Sequence, residues 1–378
     1  MQCHYFDAGS CRSCSLLPLA YPQQLANQQD QARSLLAPWP SMTWLDPLPS
    51  PSQAFRNKAK LVIAGSSQEP TLGILDSQGR GQDLQDCPLY LPALSQAFPV
   101  LEEVIRRADL TPYSVSQRRG ELKHILITAS DSGQLMIRFV LRSKKLLVPI
   151  RRQLPWLQQQ LPNLTVLSIN LLREHQALLE GPEEIILTEA STLPMQVNGF
   201  SLELRPQSFF QTNTFIAAAL YRQAQAWIAA ASPSSVWDLY SGVGGFALHA
   251  AAALPPSSRV TGIEISPEAV ASAQATAAQY GLRGLNFIAQ DAPAYALSSG
   301  QVPDVLIVNP PRRGLGADLS GWIEGSGIQQ VIYSSCNLST LVRDLKDMPS
   351  YQPLEGQVLD MFPHTGHYET LILLDRQA

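Results

Sequence analysis

The feature that most constrains this 378-residue chain is a rhythm that begins near residue 205. Residues 214–231 place apolar side chains at helical spacing, with Thr212 or Asn213 as the N-cap. Short strand-like runs then alternate with helical stretches: Val236–Leu239, a glycine loop, a helix from Phe246, and a second run at Val260–Ile265. Ser266-Pro267-Glu268 is a helix start, with a capping hydroxyl, a proline in the first turn and an acid that complements the dipole, and Gly281 closes that helix. Leu285–Ala289, Val305–Val308 and Gln330–Ser334 read as further strands. Strand–helix alternation of this kind builds a doubly wound, mostly parallel α/β sheet of Rossmann type, whose ligands lie beyond the carboxyl ends of the strands.

The first half reads differently. Residues 55–75 look like a hairpin pair of strands, and alternation returns at 122–128 and 135–141, which points to an α+β domain. Residues 38–53, rich in Pro and Ser, read as a loop. The expected division is an α+β domain over 1–205 and a Rossmann-like domain over 206–378. At 45% hydrophobic residues the chain can build a real core. It has no apolar run of 18 residues and no basic-then-apolar leader at Met1-Gln2-Cys3-His4, so neither a membrane span nor a signal peptide is expected and a cytoplasmic location is the default.

Charge is unevenly placed. Residues 206–378 carry 8 Lys/Arg and 13 Asp/Glu, whereas residues 118–152 carry 9 basic and only 2 acidic residues. A run like that is either a solvated face or a surface for phosphates. Of the five cysteines, Cys3, Cys11, Cys14 and Cys87 sit early and Cys336 stands alone. In a cytosolic chain they read as ligands or nucleophiles rather than disulfides. The Cys11-x2-Cys14 spacing suits zinc and iron–sulfur equally.

The chemistry-bearing residues all fall at strand ends. Asp238-Leu239-Tyr240-Ser241-Gly242-Val243-Gly244 follows the first strand of the second half, and Glu264 ends the next one. The glycines let a ligand approach the backbone, and a carboxylate at Glu264 can accept two ribose hydroxyls. Gly242-x-Gly244-x-x-Ala247 fits the dinucleotide fingerprint as well, so these strands alone leave S-adenosylmethionine and NAD both open. Asp291 could reach an adenine edge or be a solvated loop acid. Asn309-Pro310-Pro311-Arg312-Arg313-Gly314 tips the balance, because a rigid Asn-Pro-Pro corner is common in methyltransferases and not expected in a dehydrogenase. An aromatic residue after it would suggest a base amino-methyltransferase, but Arg312 stands there.

Cys336, at a strand's carboxyl end, is either a small buried hydrophobe or a nucleophile. Downstream lies Phe362-Pro363-His364-Thr365-Gly366-His367-Tyr368-Glu369. Methylating uracil C5 needs such a set. A thiolate adding to C6 turns C5 into an enolate carbon that can attack a sulfonium methyl, and a base then removes the C5 proton so that the thiol can leave.

With Ser208-Phe209-Phe210-Gln211-Thr212-Asn213 and Ser334-Ser335-Cys336-Asn337 added, these motifs resemble the RNA uracil-C5 methyltransferase family, in family order over about the last 170 residues. Phe55-Arg56-Asn57-Lys58-Ala59-Lys60 and the spacing Cys3-x7-Cys11-x2-Cys14 with Cys87-Pro88 are similar to that family's first domain. The resemblance implies S-adenosyl-L-methionine held by Gln211, Tyr240, Glu264 and Asn309, Cys336 as nucleophile and Glu369 as base. It also implies a [4Fe–4S] cluster on Cys3, Cys11, Cys14 and Cys87, so that residues 1–205 become an iron–sulfur and RNA-binding domain. The chain looks most like the branch acting on uridine 747 of 23S ribosomal RNA, given the cysteine at position 3, the short length and the Met361-to-Glu369 motif. Tyr240-Ser241 stands where relatives have Phe-Cys, and Asn309 where many have Asp. No separate N-terminal barrel precedes Cys3, so RNA contact falls to residues 1–205. The other readings are a different RNA uridine, a base amino-methyltransferase with an inert Cys336, and a non-catalytic iron–sulfur RNA-binding protein.

Overall fold

The computed structural model describes residues 1–176 and 178–377. The chain gathers into two units: Met1–Ser13, Gln53–Gln196 and Arg205–Gln207 in the first, and Cys14–Ser52, Val197–Leu204 and Ser208–Ala378 in the second. Residues 14–52 therefore pack with the C-terminal half rather than in the 1–205 domain expected from the sequence.

The first unit is a seven-stranded, mostly antiparallel sheet in the order 81–83, 70–75, 58–65, 122–129, 135–141, 164–171, 183–186. Strands 135–141 and 164–171 run parallel, and the crossover between them carries the helix Leu147–Gln160. The helix Pro92–Arg107 starts on a proline at its first turn and buries Leu94, Ala97, Phe98, Leu101, Val104 and Ile105, one stripe at i, i+3, i+4 spacing. The stripe joins a core with Ile125, Ile127, Ile137 and Phe139 of the central strands.

Strands 122–129 and 135–141 are buried almost throughout, although the sequence suggested one wet face. The second face carries a small cluster of Leu126, Val140 and Leu172 and an ion pair. Arg138, nearly inaccessible, donates from Nε and one terminal nitrogen to the two Glu184 oxygens at 3.0 and 2.7 Å. Paired charges of this kind are tolerated only when both forks are satisfied.

The 118–152 basic run is thus only partly a surface feature. Besides Arg138, the Lys123 ammonium is buried and donates to the Glu174 carbonyl at 2.6 Å. Lys144 pairs with Glu183 at 2.6 Å and Arg142 with Glu121 at 3.5 Å. Arg118, Arg119, Arg151 and Arg152 remain exposed.

The second unit is built on an eight-stranded mixed sheet in the order Thr43–Trp44, Tyr351–Leu359, Glu369–Arg376, Gln330–Ser335, Val305–Val308, Ser235–Leu239, Arg259–Glu264, Leu285–Ala289. The five strands from Gln330–Ser335 to Leu285–Ala289 are parallel. The order reverses about Ser235–Leu239, which is where the ligand crevice of an open α/β sheet opens. Glu369–Arg376 enters antiparallel between Gln330–Ser335 and Tyr351–Leu359. Its first residue therefore lies at the same edge as the carboxyl ends of the parallel strands. The sheet is a mixed α/β sheet with a doubly wound parallel part.

Caps expected from the sequence are present. Asn213 accepts from the Ile216 amide ahead of the helix Thr214–Ala231, and Ser266 accepts from the Ala269 amide ahead of Pro267–Gln279. Each is worth ~1 kcal/mol. Among the described residues no helix is long and apolar enough to cross a membrane.

Candidate active site

The glycine loop after Ser235–Leu239 is held from three sides. Asp238 is fully buried and accepts from the Ala247 amide at 3.0 Å, tying the strand end to the next helix. Burial pushes its carboxyl up to about 8. Glu264 accepts from the Gly242 amide at 3.0 Å on one oxygen and from the Ser266 amide at 2.9 Å on the other. The carboxylate expected to receive ribose hydroxyls is thereby fixed in place by two backbone donors. Gly244 has φ +86°, and a Cβ there would lie 2.7 Å from the Phe287 ring, so only glycine fits. Tyr240 also occupies the left-handed region, at φ 64°, an uncommon state for an aromatic residue and one that redirects the chain out of the strand.

The other expected cofactor contacts gather at this loop. Gln211 is buried just before the helix cap at Asn213, and the Phe209 carbonyl of the same segment approaches the Cβ position of Gly242 to 4.0 Å. Asn309 follows Val308, whose strand partner is Leu239, and is partly exposed. Asp291 is exposed and serves as a helix cap, accepting from the Ala294 amide at 3.1 Å.

Strand register brings the two reaction residues together. Gln330–Ser335 and Glu369–Arg376 pair Ser334 with Leu371 and Ser335 with Thr370; Cys336 follows in the bend just past the first strand, close enough to Glu369, the first residue of the second, for that carboxylate to act on its thiol. Alternation puts Ser334, Glu369 and Leu371 on one face. Glu369 is buried, its carboxyl is pushed up to about 7 by burial, and the Ser334 hydroxyl donates to its Oε1 at 2.6 Å. Cys336 is half-buried; burial raises its thiol above the ordinary value, the Glu369 charge raises it further, and Arg312 opposes both.

A cavity of about 220 Å³ opens here, lined among others by Cys336, Asn337, Arg312, His367, Tyr368 and Gln31. At its lip an Arg312 guanidinium nitrogen stands 3.4 Å from His367 Nδ1.

Several supports were not singled out from the sequence. Asp344, fully buried, accepts from the Tyr333 hydroxyl at 2.8 Å, the Leu315 amide at 2.7 Å and Arg343 at 2.8 Å. With Asn337 donating to the Arg312 carbonyl at 3.0 Å and Arg343 to the Arg313 carbonyl at 2.7 Å, it fixes the Asn309–Gly314 corner to the helix Leu338–Lys346. The signal was present but faint: Asp344 shares the apolar stripe of Leu338, Leu341 and Leu345.

The motif before Glu369 is clamped by residues 14–52. His364, at φ 68°, donates its amide to Gln24 Oε1 at 3.0 Å. Its Nε2 lies 2.8 Å from the Ser52 carbonyl and its Nδ1 3.3 Å from the Gln24 amide nitrogen, which assigns the proton to Nε2 of a neutral ring, and burial lowers its pKa. Asp360 accepts from Tyr21 at 2.8 Å and Gln28 at 3.2 Å.

The early cysteines come out less sharply. In the first unit the Asp86 amide donates to the Tyr5 hydroxyl at 3.0 Å and the Cys11 amide to the Tyr5 carbonyl at 3.1 Å, which draws the Cys3–Cys11 loop toward Cys87. Burial, then the Cys3 and Cys11 sulfurs, hold the Cys87 thiol above its ordinary value. Cys14 opens the second unit. Among the described residues no three His, Cys, Asp or Glu side chains are close enough together to hold a metal ion, so the structure lends no support to the [4Fe–4S] cluster expected on Cys3, Cys11, Cys14 and Cys87.

The model of the tRNA (uracil-5-)-methyltransferase family matches residues 20–377. The chain belongs to that family. It is an S-adenosylmethionine-dependent RNA uracil-5 methyltransferase. Two relatives named 23S rRNA (uracil(747)-C(5))-methyltransferase RlmC, from Pectobacterium carotovorum subsp. carotovorum and Escherichia coli O9:H4, are 48% and 47% identical over 378 residues, covering all of both chains. The fold of this methyltransferase is similar to that of the Pyrococcus abyssi tRNA (uracil-54, C5)-methyltransferase solved with S-adenosyl-L-homocysteine. The TM-score is 0.80 at 23% identity, over 96% of this chain and 85% of that one.

Proposed function

We propose that this enzyme methylates C5 of uridine 747 in 23S ribosomal RNA through a covalent Cys336–C6 adduct, with Glu369 as the base that resolves it. The observation that supports the reading is the meeting of two strand ends that leaves Cys336, in the wall of a cavity, near a buried, hydrogen-bonded Glu369. The choice of RNA rests on full-length relatives of that name at 48% and 47% identity.

The target base enters the cavity out of its stack. Gln211, Tyr240, Glu264 and Asn309 would hold S-adenosyl-L-methionine, which would supply a sulfonium methyl as the electrophile and leave as S-adenosylhomocysteine. The Cys336 thiolate adds to C6, which makes C5 the carbon to be methylated, and Glu369 removes the C5 proton. The electron pair of that C–H bond forms the C5–C6 double bond as the thiolate leaves. A Glu369 carboxyl near 7 is matched to taking a proton at neutral pH. Cys336 in its resting state is mostly thiol, so its activation coincides with substrate binding beside Arg312.

Cys3, Cys11, Cys14 and Cys87 are proposed as ligands of a [4Fe–4S] cluster. What supports the proposal is the resemblance of the Cys3-x7-Cys11-x2-Cys14 spacing, with Cys87 downstream, to an iron–sulfur motif. Its role would be to hold chain segments, since the methyl transfer uses no electron. The proposed place of action is the cytoplasm.

The test offers 5-fluorouracil-substituted transcripts, one of the 23S segment around position 747 and one of a tRNA, and looks for a denaturation-resistant protein–RNA adduct. The 23S segment should be trapped, and Cys336→Ala should abolish trapping while leaving S-adenosylhomocysteine binding intact. Trapping on the tRNA alone would move the substrate. Normal turnover by Cys336→Ala would overturn the covalent mechanism.

A further inference from the structure

Between the nucleophile and the base lies a side chain to which the mechanism above gives no task. Ser334 lies in the strand Gln330–Ser335, two residues before Cys336, which follows in the bend at the strand's end. It is fully buried, and its hydroxyl donates to Glu369 Oε1 at 2.6 Å. Ser334 is the hydrogen-bond donor that acts on this carboxyl against its burial, and it acts through Oε1.

The two oxygens of Glu369 are therefore not equivalent. One is tied back into the sheet and the other is left to accept a proton. We infer that Ser334 is a positioning residue for the proton-abstraction step, fixing the Glu369 side chain by Oε1 so that Oε2 is presented to the C5 proton of a base held on Cys336. The inference rests on Glu369 being the base. Ser334 neither gains nor loses a proton: the C5 proton goes to Glu369, the C–H pair closes the C5–C6 double bond, and Cys336 leaves as thiolate.

The hydrogen bond has a second effect. Burial disfavours the carboxylate, and the Ser334 donor works in the opposite direction. Losing that donor leaves burial unopposed, so the base stays protonated to higher pH. The step affected is adduct resolution, not adduct formation, because thiolate addition and methyl transfer need no carboxylate base.

The test is single-turnover kinetics on ordinary uridine RNA, following adduct formation and decay separately across pH for wild type, Ser334→Ala, Ser334→Thr and Glu369→Gln. Ser334→Ala should form methylated adduct at the wild-type rate and resolve it about tenfold more slowly at pH 7, the effect of losing a hydrogen bond to a charged group. The acid limb should move to higher pH, and resolution by Ser334→Ala should stay slower than wild type at alkaline pH, where both carboxyls are ionised and only the lost positioning remains. Ser334→Thr, which keeps the hydroxyl, should restore the wild-type profile.

A uniform slowing of both phases at every pH would mean that Ser334 only packs, and would overturn the inference, as would a Ser334→Ala profile that overlays wild type. Glu369→Gln separates the two levels. If it resolves adduct normally, Glu369 is not the base and the underlying mechanism fails. If it stalls while Ser334→Ala is unaffected, only the role of Ser334 fails. Should Ser334→Ala not fold, Ser334→Cys, of similar shape and with a weaker donor, carries the same comparison.

Discussion

Replacing Glu369 with Gln should make the folded enzyme more stable, and increasingly so as pH rises. Burial holds the carboxyl near 7, against 4.5 for an unburied glutamate. Between those values an unfolded chain releases the proton while the folded chain keeps it. Stability therefore falls as pH rises from 4.5 to 7 and is flat above. A gap of about 2.5 units at 1.36 kcal/mol per unit is about 3 kcal/mol, an upper estimate because buried sites relax. Gln has nearly the same shape, keeps an oxygen for the Ser334 hydroxyl and never ionises. The difference between variant and wild type should be smallest near pH 4.5 and approach 3 kcal/mol at pH 8. Asp238, buried with a carboxyl near 8, titrates in both proteins and cancels. Urea denaturation at pH 4.5, 6 and 8, with m-values compared, measures it. A difference that does not change with pH, or a variant destabilised at pH 8, would show that Glu369 ionises like an ordinary carboxylate. The expected result would make catalysis and stability compete at one residue.

Two further outcomes bear on the first unit. Anaerobically purified protein should be brown and carry about four irons per chain, as a cubane requires; stoichiometric zinc without iron, by plasma mass spectrometry, would replace the cluster with a single ion. Neutralising the exposed Arg118, Arg119, Arg151 and Arg152 should weaken RNA affinity and flatten its salt dependence in a filter-binding titration, by about 0.9 in slope for each phosphate no longer neutralised, whereas unchanged affinity and slope would make the run a solvated face. Lys123, buried on the Glu174 carbonyl, does not belong in that set.

The second half of the chain was legible because its signals are local. Caps at Asn213 and Ser266, glycines at a strand exit and short β-rich runs each act within a few residues, and the helices and strands fall within a residue or two of where those signals put them. The pairing of Cys336 with Glu369 followed from chemistry rather than from spacing, since only an antiparallel last strand brings residues 33 positions apart to one edge. The rest depends on partners distant in sequence. Nothing near Gln24 or Gln28 announces that their amides will meet His364 and Asp360. A run of positive charge gives no hint that Arg138 will be buried against Glu184. Ser334 looks like one more small residue until the neighbouring strand supplies its acceptor.

The hold of residues 14–52 on the last strands has a consequence for biosynthesis. Gln24 and His364 are separated by 340 positions. At ribosomal speeds that is an interval on the order of 20–70 s. For that time the helix Tyr21–Leu35 and the strand Thr43–Trp44 have emerged while the Tyr351–Leu359 strand and the His364 turn that receive them do not yet exist. Leu36, Met42 and their apolar neighbours stay uncovered meanwhile. Contacts of such span close last and slowly. The segment is therefore a natural client for a holding chaperone, and the site around Cys336 is completed only when the newest residues of the chain meet some of the oldest.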